Sequence, residues 1–270
     1  MLNTQLLGGD GMHNFKKKYG QNFLRDESVL TRIIEEASIE EDSLIIEIGP
    51  GDGALTDKLK DVSKNVISYE IDEELIDGLN NRFKNTNVEI ILDDFLDRNI
   101  KEDINKYNYK NLYVIANIPY YITTPIVEHI INSKINPKKI ILMVQKEVAD
   151  RFSAVPGEKD YSSITVYLNY YYTIKKLFNV SRHSFYPEPN VDSAIICFEN
   201  KERIPIDDEE KFFKFVRDSF RFKRKTIKNN LSNYDLKIVE KVLKKHDMDL
   251  TVRAEKISLE VFAEIYNEIK

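Results

Sequence analysis

The run Glu47-Ile48-Gly49-Pro50-Gly51-Asp52-Gly53-Ala54-Leu55-Thr56 sets three glycines directly after a short apolar stretch, Leu44 to Ile48. That stretch is long enough for one buried strand, and glycine accepts the positive φ angles by which a chain leaves a strand abruptly and brings bare backbone close to a ligand. Glu70 follows 21 residues after Gly49, at the end of the next apolar run, Val66 to Tyr69. A carboxylate there stands beside the same crevice and can accept hydrogen bonds from two ribose hydroxyls. The spacing predicts a ribose-bearing cofactor. It does not choose among such cofactors, because Gly49, Gly51 and Ala54 also satisfy the pattern by which dinucleotide-binding folds seat a pyrophosphate on a helix N-terminus. On the loop alone, a dinucleotide and S-adenosylmethionine are equal alternatives.

Asn117-Ile118-Pro119-Tyr120 separates them. It follows the apolar run Leu112 to Ala116 and so falls at the carboxyl end of another strand, where open α/β sheets bind ligands. An Asn side-chain oxygen and a neighbouring backbone carbonyl can both accept from an exocyclic amine, Pro119 holds the turn in one shape, and Tyr120 offers a flat face for a base. A dehydrogenase has no use for this device. Each piece alone is an ordinary turn or a packed loop residue; their order and spacing along one alternating chain carry the inference.

Apolar runs at 44–48, 66–69, 88–92, 112–116 and 139–145 alternate with helix-like stretches such as Val29 to Ala37 and Ile122 to Asn132. That alternation predicts an α/β fold with a mostly parallel sheet and helices on both faces. Two further β-rich runs, Ile164 to Thr173 and Ala194 to Glu199, have no obvious helix between them and predict an antiparallel pair at one sheet edge. Between Asn200 and Glu210 the chain turns charged, carries Pro205, and then reads as helical to its end. The expected organisation is a disordered segment 1–13, for which Met12 is a candidate start, a cofactor-binding domain 14–202 and a small helical domain 203–270.

With 42% hydrophobic and 31% charged residues, the 270-residue chain has an ordinary globular balance. It contains no stretch approaching a membrane span and no secretory-signal pattern, so a cytoplasmic location is expected. The single cysteine, Cys197, lies inside an apolar run and reads as a buried inert thiol. His13, His129, His183 and His246 are dispersed, with no cluster at ligand spacing, so no metal is expected. The net charge of −5 argues against a polyanionic partner until its distribution is read. Residues 211–230 hold Lys211, Lys214, Arg217, Arg221, Lys223, Arg224, Lys225 and Lys228 against Asp218 alone, a balance of +7 that leaves −12 for the remainder. Phe212, Val216, Phe220, Ile227 and Leu231 recur there near helical spacing, so an apolar stripe can face inward while the cations grip phosphates. Lys16 to Lys18 and Arg25 are candidates to extend the patch.

Taken together, these motifs resemble the ribosomal RNA adenine dimethyltransferases of the KsgA type, whose sister branch contains the erythromycin-resistance methyltransferases. The resemblance covers most of the chain: KKKYGQNFLRD at 16–26, LMVQKEVADR at 142–151, KDYSSITV at 159–166, FYPEPNVDSA at 185–194, FRFKRKTIKNNL at 220–231 and VRAEKISLEVFAEI at 252–265. Ile118 is the residue more usual in the resistance branch, whereas TTPI at 123–126 and the C-terminal matches favour the ribosomal branch. The resemblance implies a Rossmann-like, seven-stranded methyltransferase sheet with a small all-helical C-terminal domain. It implies S-adenosylmethionine as cofactor, held by Asn22, Leu24, Gly49, Gly51, Glu70, Asp94 and Asn117, with Asp93 as the alternative to Asp94. The target adenine would lie among Asn117, Ile118, Pro119, Tyr120 and Phe185. The implied reaction dimethylates two adjacent adenosines near the 3′ end of small-subunit (16S) rRNA, with a monomer acting on the small subunit or its precursor. The alternatives are a large-subunit (23S) methyltransferase of the resistance type and an assembly factor in which binding outweighs methylation.

Overall fold

The computed structural model describes residues 22–118 and 122–269. After a two-residue strand β1 (Phe23–Leu24) and helix α1 (Glu27–Ala37), the chain alternates: β2 (Ser43–Ile48), α2 (Ala54–Val62), β3 (Asn65–Glu70), α3 (Glu73–Arg82), β4 (Val88–Leu92), α4 (Ile100–Ile104), β5 (Asn111–Asn117), α5 (Thr123–Ser133), β6 (Lys139–Gln145) and α6 (Lys146–Phe152). All five apolar runs read as strands are strands. A seven-stranded sheet results in the order β4-β3-β2-β5-β6-β9-β7, completed by β7 (Tyr172–Val180) and β9 (Ser193–Asn200). The first five strands run parallel, and β9 lies antiparallel to both β6 and β7.

The continuous apolar runs are explained by burial on both faces, as central parallel strands require. Alternate residues divide between two cores: Leu44, Ile46, Val114, Ala116, Ile140 and Leu142 enter one, whereas Ile45, Tyr113, Ile115, Ile141 and Met143 enter the other. Cys197, 1% exposed on β9, belongs to the second, and burial pushes its thiol up to about 11.

One expected strand is a helix. Residues 164–171, read as the start of a β-rich run, form α7 (Ser163–Tyr171), and the edge strand begins only at Tyr172. An antiparallel edge pair does form, but between Tyr172–Val180 and β9, so that only Tyr172 and Thr173 of the expected run belong to it. Two interactions override the β propensity of these branched and aromatic residues. Ser162 and Thr165 make a reciprocal capping box, and the helix buries opposite sides in two places. Leu168 packs into the sheet core, while Val166 and Tyr170 join a third core made by α8 (Glu209–Ser219), α9 (Ile227–Asn230), α10 (Leu236–Lys245) and α11 (Leu259–Ile269). The hydroxyls of Tyr170 and Tyr171 both donate to Glu209, at 3.2 and 2.7 Å, across this seam. Residues 201–207 carry no helix or strand, and we retain the division at 202/203 as a proposal.

Glu47 is the unusual core residue. It is 1% exposed on β2, and its Oε2 accepts from Thr56 Oγ1 at 2.7 Å and Ser68 Oγ at 2.6 Å, tying β2 to α2 and β3. Its Oε1 has no partner, and burial raises the carboxyl to about 7. Native Glu47 therefore binds a proton that the unfolded chain has already lost between pH 4.5 and 7, so its contribution to stability declines as pH rises through that window. Glu47→Gln is expected to remove this decline, with a difference approaching about 3 kcal/mol between pH 5 and pH 8; denaturant titrations of both proteins across that range measure it.

Candidate active site

The sheet order reverses between β2 and β5: the chain continues from β2 to β3 and β4 on one side and from β5 to β6 on the other. Loops leaving the carboxyl ends of these neighbours diverge and open a crevice. Gly49 and Asn117 mark those ends, and a Cβ on Gly49 would lie 3.6 Å from the Asn117 carbonyl oxygen. Gly51 has φ +60°, and a Cβ there would lie 2.9 Å from the Phe23 ring. The bare loop is thus required twice, by its left-handed backbone and by the ring covering it.

Glu70 organises the crevice. It is 4% exposed, and its carboxylate accepts three backbone N–H bonds, from Gly51 at 3.1 Å on Oε2 and from Ile71 and Asp72 at 2.9 Å on Oε1. Burial raises its pKa, and these three bonds oppose the shift. By lone-pair count, Oε2 retains the capacity for a further donor. Asp94 caps the short turn Phe95–Asp97 by accepting from Leu96 N at 2.9 Å. Asp93 is held differently: its Oδ2 receives Arg98 at 3.1 Å, and Arg98 is bound in turn to Asp103 at 2.6 Å.

On the far side, β1 pairs antiparallel with β8 (Phe185–Tyr186), setting Leu24 opposite Phe185 and Phe23 opposite Tyr186. Two bonds extend this ribbon: Arg25 N donates to Ser184 O at 2.8 Å, and Ser184 Oγ donates to Asp26 at 3.0 Å. Arg25 also pairs with Asp52 in the glycine loop, whose carbonyl oxygen accepts from Arg82.

Asn22, Leu24, Gly49, Gly51, Glu70, Asp94, Asn117, Ile118 and Phe185 all line one cavity of about 240 Å³. Asp93 lines it too. Pro119 and Tyr120, together with Lys16 to Lys18, lie outside the described residues. The sequence reading did not single out Phe23, which covers Gly51, or Arg82, which grips the loop from the last turn of α3. Phe23 was within reach, since it adjoins Leu24 in the same motif, whereas nothing in the local pattern marks Arg82. Among the described residues, no three His, Cys, Asp or Glu side chains are grouped to hold a metal ion, and no helix is long and apolar enough to cross a membrane.

The cationic segment differs in shape from a single helix. Helix α8 ends at Ser219, and Arg221, Phe222, Lys223, Arg224 and Lys225 are exposed on the loop before α9. Phe212, Val216, Ile227 and Leu231 are buried as the stripe predicts. Lys211 and Lys214 are paired with Asp208 and Asp218, whereas Lys223, Arg224, Lys225 and Lys228 form no salt bridge among the described residues. The uncompensated charge is therefore concentrated on the loop and the first turn of α9.

Comparison with known proteins agrees with this architecture. The family model described as ribosomal RNA adenine dimethylase matches residues 12–270. The chain is 42% identical over 258 residues to the ribosomal RNA small subunit methyltransferase A of Mycoplasma mobile, covering 95% of this chain and 99% of that one. It is 39% identical over 268 residues to the protein of the same name from Bacillus pumilus, covering 95% and 92%. Among solved structures, a dimethyladenosine transferase from Plasmodium falciparum superposes with a TM-score of 0.76 at 28% identity, covering 91% of this chain and 96% of that one. The 23S rRNA methyltransferase ErmE gives 0.76 at 26% identity, covering 92% and 99%. Matched by the family model over residues 12–270 and by relatives over nearly their whole length, the chain belongs to the ribosomal RNA adenine dimethylase family and is an rRNA adenine dimethyltransferase.

Proposed function

We propose that the protein uses S-adenosylmethionine to dimethylate the exocyclic amines of two adjacent adenosines near the 3′ end of small-subunit (16S) rRNA, in the cytoplasm and as a monomer. The observation that carries this reading is the convergence of Glu70, the glycine loop, Asp94, Asn117 and Phe185 on one cavity. Relatives at about 40% identity bear small-subunit names, which supports the choice of subunit.

The cavity suits the cofactor. A Cβ at Gly49 or Gly51 would fill space at its wall, and Glu70 keeps acceptor capacity for a ribose hydroxyl. Asp94 is assigned to the cofactor's adenine amine and Asn22 and Leu24 to its methionine end, and all three line the cavity. When bound, S-adenosylmethionine supplies an electrophilic methyl carbon on its sulfonium. The protein's task is to make and hold the nucleophile. An adenine amine is weak because its lone pair is delocalised into the ring. Asn117 Oδ1 and the Ile118 carbonyl can accept from its two N–H bonds, favouring the pyramidal, more nucleophilic geometry. Phe185, 6% exposed, gives the flipped base an apolar surface in place of its lost neighbours, and Tyr120 is assigned the opposite side with Pro119 stiffening the turn. Holding the amine nitrogen in line with the methyl group would provide proximity more than acid or base catalysis: the S–CH3 electron pair would stay on sulfur as the thioether, and the nitrogen's proton would pass to water.

The deciding experiment supplies labelled cofactor and, separately, immature small and large ribosomal subunits, and identifies the modified nucleoside. Dimethyladenosine in small-subunit RNA is expected; the same product in large-subunit RNA would move the activity to the resistance type, and cofactor binding without transfer would favour an assembly role. Asn117→Ala is expected to lower kcat by roughly two to three powers of ten, by analogy with removal of one oriented hydrogen-bonding group, with a much smaller change in cofactor Kd. Glu70→Gln presents an amide to backbone N–H groups and should cost about 1–3 kcal/mol of stability, seen by denaturant titration, and weaken cofactor binding in calorimetry. Replacing Lys223, Arg224 and Lys225 together by Ala should weaken subunit binding and reduce the slope of log K against log salt by about 2 to 3, as loss of three phosphate contacts requires.

A further inference from the structure

We propose that Arg98 is a positioning residue for the Asp93–Asp94 wall of the cavity: by forking between Asp93 and Asp103 it engages Asp93 within the protein and leaves Asp94 as the acceptor that selects an amine-bearing purine. The proposal rests on the assignment of Asp94 made above. Asp52, Glu70, Asp93 and Asp94 line the cavity and, among the described residues, no Lys or Arg does. Asp93 and Asp94 are thus adjacent carboxylates on one wall, and such a pair resists ionisation unless a cation stands near. Arg98 supplies that cation from outside the lining. Its Nε and Nη2 donate to the two oxygens of Asp103 at 3.1 and 2.6 Å, and its Nη1 donates to Asp93 Oδ2 at 3.1 Å. Asp93 Oδ1 accepts from Asp94 N at 2.9 Å, so both Asp93 oxygens are engaged. Asp94 Oδ1 accepts from Leu96 N at 2.9 Å, and among the described residues its Oδ2 meets no donor.

The fork is anchored from several elements. Asp103, 6% exposed on α4, also accepts from Tyr69 Oη at 2.9 Å, and Tyr69 lies on β3 beside Glu70. Asp93 N donates to Glu70 O at 3.0 Å. The Arg98 carbonyl oxygen lies 3.1 Å from His129 Nε2 on α5, whose ring meets Phe95 edge-on with centres 5.4 Å apart. A planar guanidinium holds two carboxylates at once in fixed directions, which an ammonium does not. Without it, Asp93 would return to the wall as a second, unoriented carboxylate. The 6-oxo group of hypoxanthine places an acceptor where the adenine amine places donors, so a fixed carboxylate rejects it and a loosened wall rejects it less.

Calorimetry with S-adenosylhomocysteine and S-inosylhomocysteine, which differ in that exocyclic group, measures Kd for the wild type, Arg98→Met and Arg98→Lys, with thermal unfolding of each protein alongside. The wild type is expected to favour the adenosyl ligand by about ten- to a hundredfold, the range of one hydrogen bond to a charged group. Arg98→Met should cut that ratio about fivefold, and Arg98→Lys about threefold, since one ammonium cannot serve Asp93 and both oxygens of Asp103. If the Met variant does not fold, the Lys variant decides. A ratio unchanged from wild type, including equal weakening of both ligands, would make Arg98 a structural tie and overturn the proposal. Equal binding of the two ligands by the wild type would instead overturn the assignment of Asp94, and binding of neither would overturn the cofactor reading itself.

Discussion

A carboxylate withdrawn from water must find donors, and Glu70 finds three in backbone N–H groups that a sheet cannot otherwise pair. One comes from the glycine loop after β2, the other two from the turn that starts α3. The bond to Gly51 holds that residue where its backbone is left-handed and only a glycine leaves room for Phe23. Phe23 in turn belongs to β1, which orders β8 and hence Phe185. The glycine-loop side and the Phe185 side of the cavity are therefore linked through one buried side chain and a two-residue ribbon. Glycine is the residue that lets the linkage close.

Glu47 and Glu70 lie on adjacent strands and are almost equally buried, yet their environments differ in kind. Glu70 is surrounded by backbone donors that favour the charged form and oppose its desolvation. Glu47 receives two hydroxyls on one oxygen and nothing on the other, so desolvation dominates and the neutral form persists to about pH 7. The first keeps an acceptor oxygen at the crevice; the second is a structural tie among β2, α2 and β3. Donor chemistry, rather than burial alone, separates the two carboxylates.

Much of this was legible in the sequence because the relevant signals are local. Five apolar runs became five parallel strands, and the glycines, Glu70, Asp94 and Asn117 fall at strand ends, where the sheet's topology brings them together. The reading failed at Ile164 to Tyr171, where branched and aromatic residues suggested a strand and a helix formed, because two cores on opposite sides demand apolar groups all round. Charge was read correctly in amount but not in shape, since a helical stripe says nothing about where the helix stops. Arg82 and the Asp93–Arg98–Asp103 chain could not be foreseen, because their meaning depends on contacts between segments that share no motif.

Helix α7 contributes Leu168 to the sheet core and Val166 and Tyr170 to the helical one, and its tyrosines reach Glu209 at the start of α8. A helix committed on both sides, with no fully exposed residue, ties the two cores together. Loss of either core would strip half of its burial, so the two halves of the chain share cooperativity even though residues 201–207 join them only as irregular backbone. The spacing between the cavity and the cationic loop is then a property of packing rather than of a tether, and the enzyme carries the two as a gauge of fixed span.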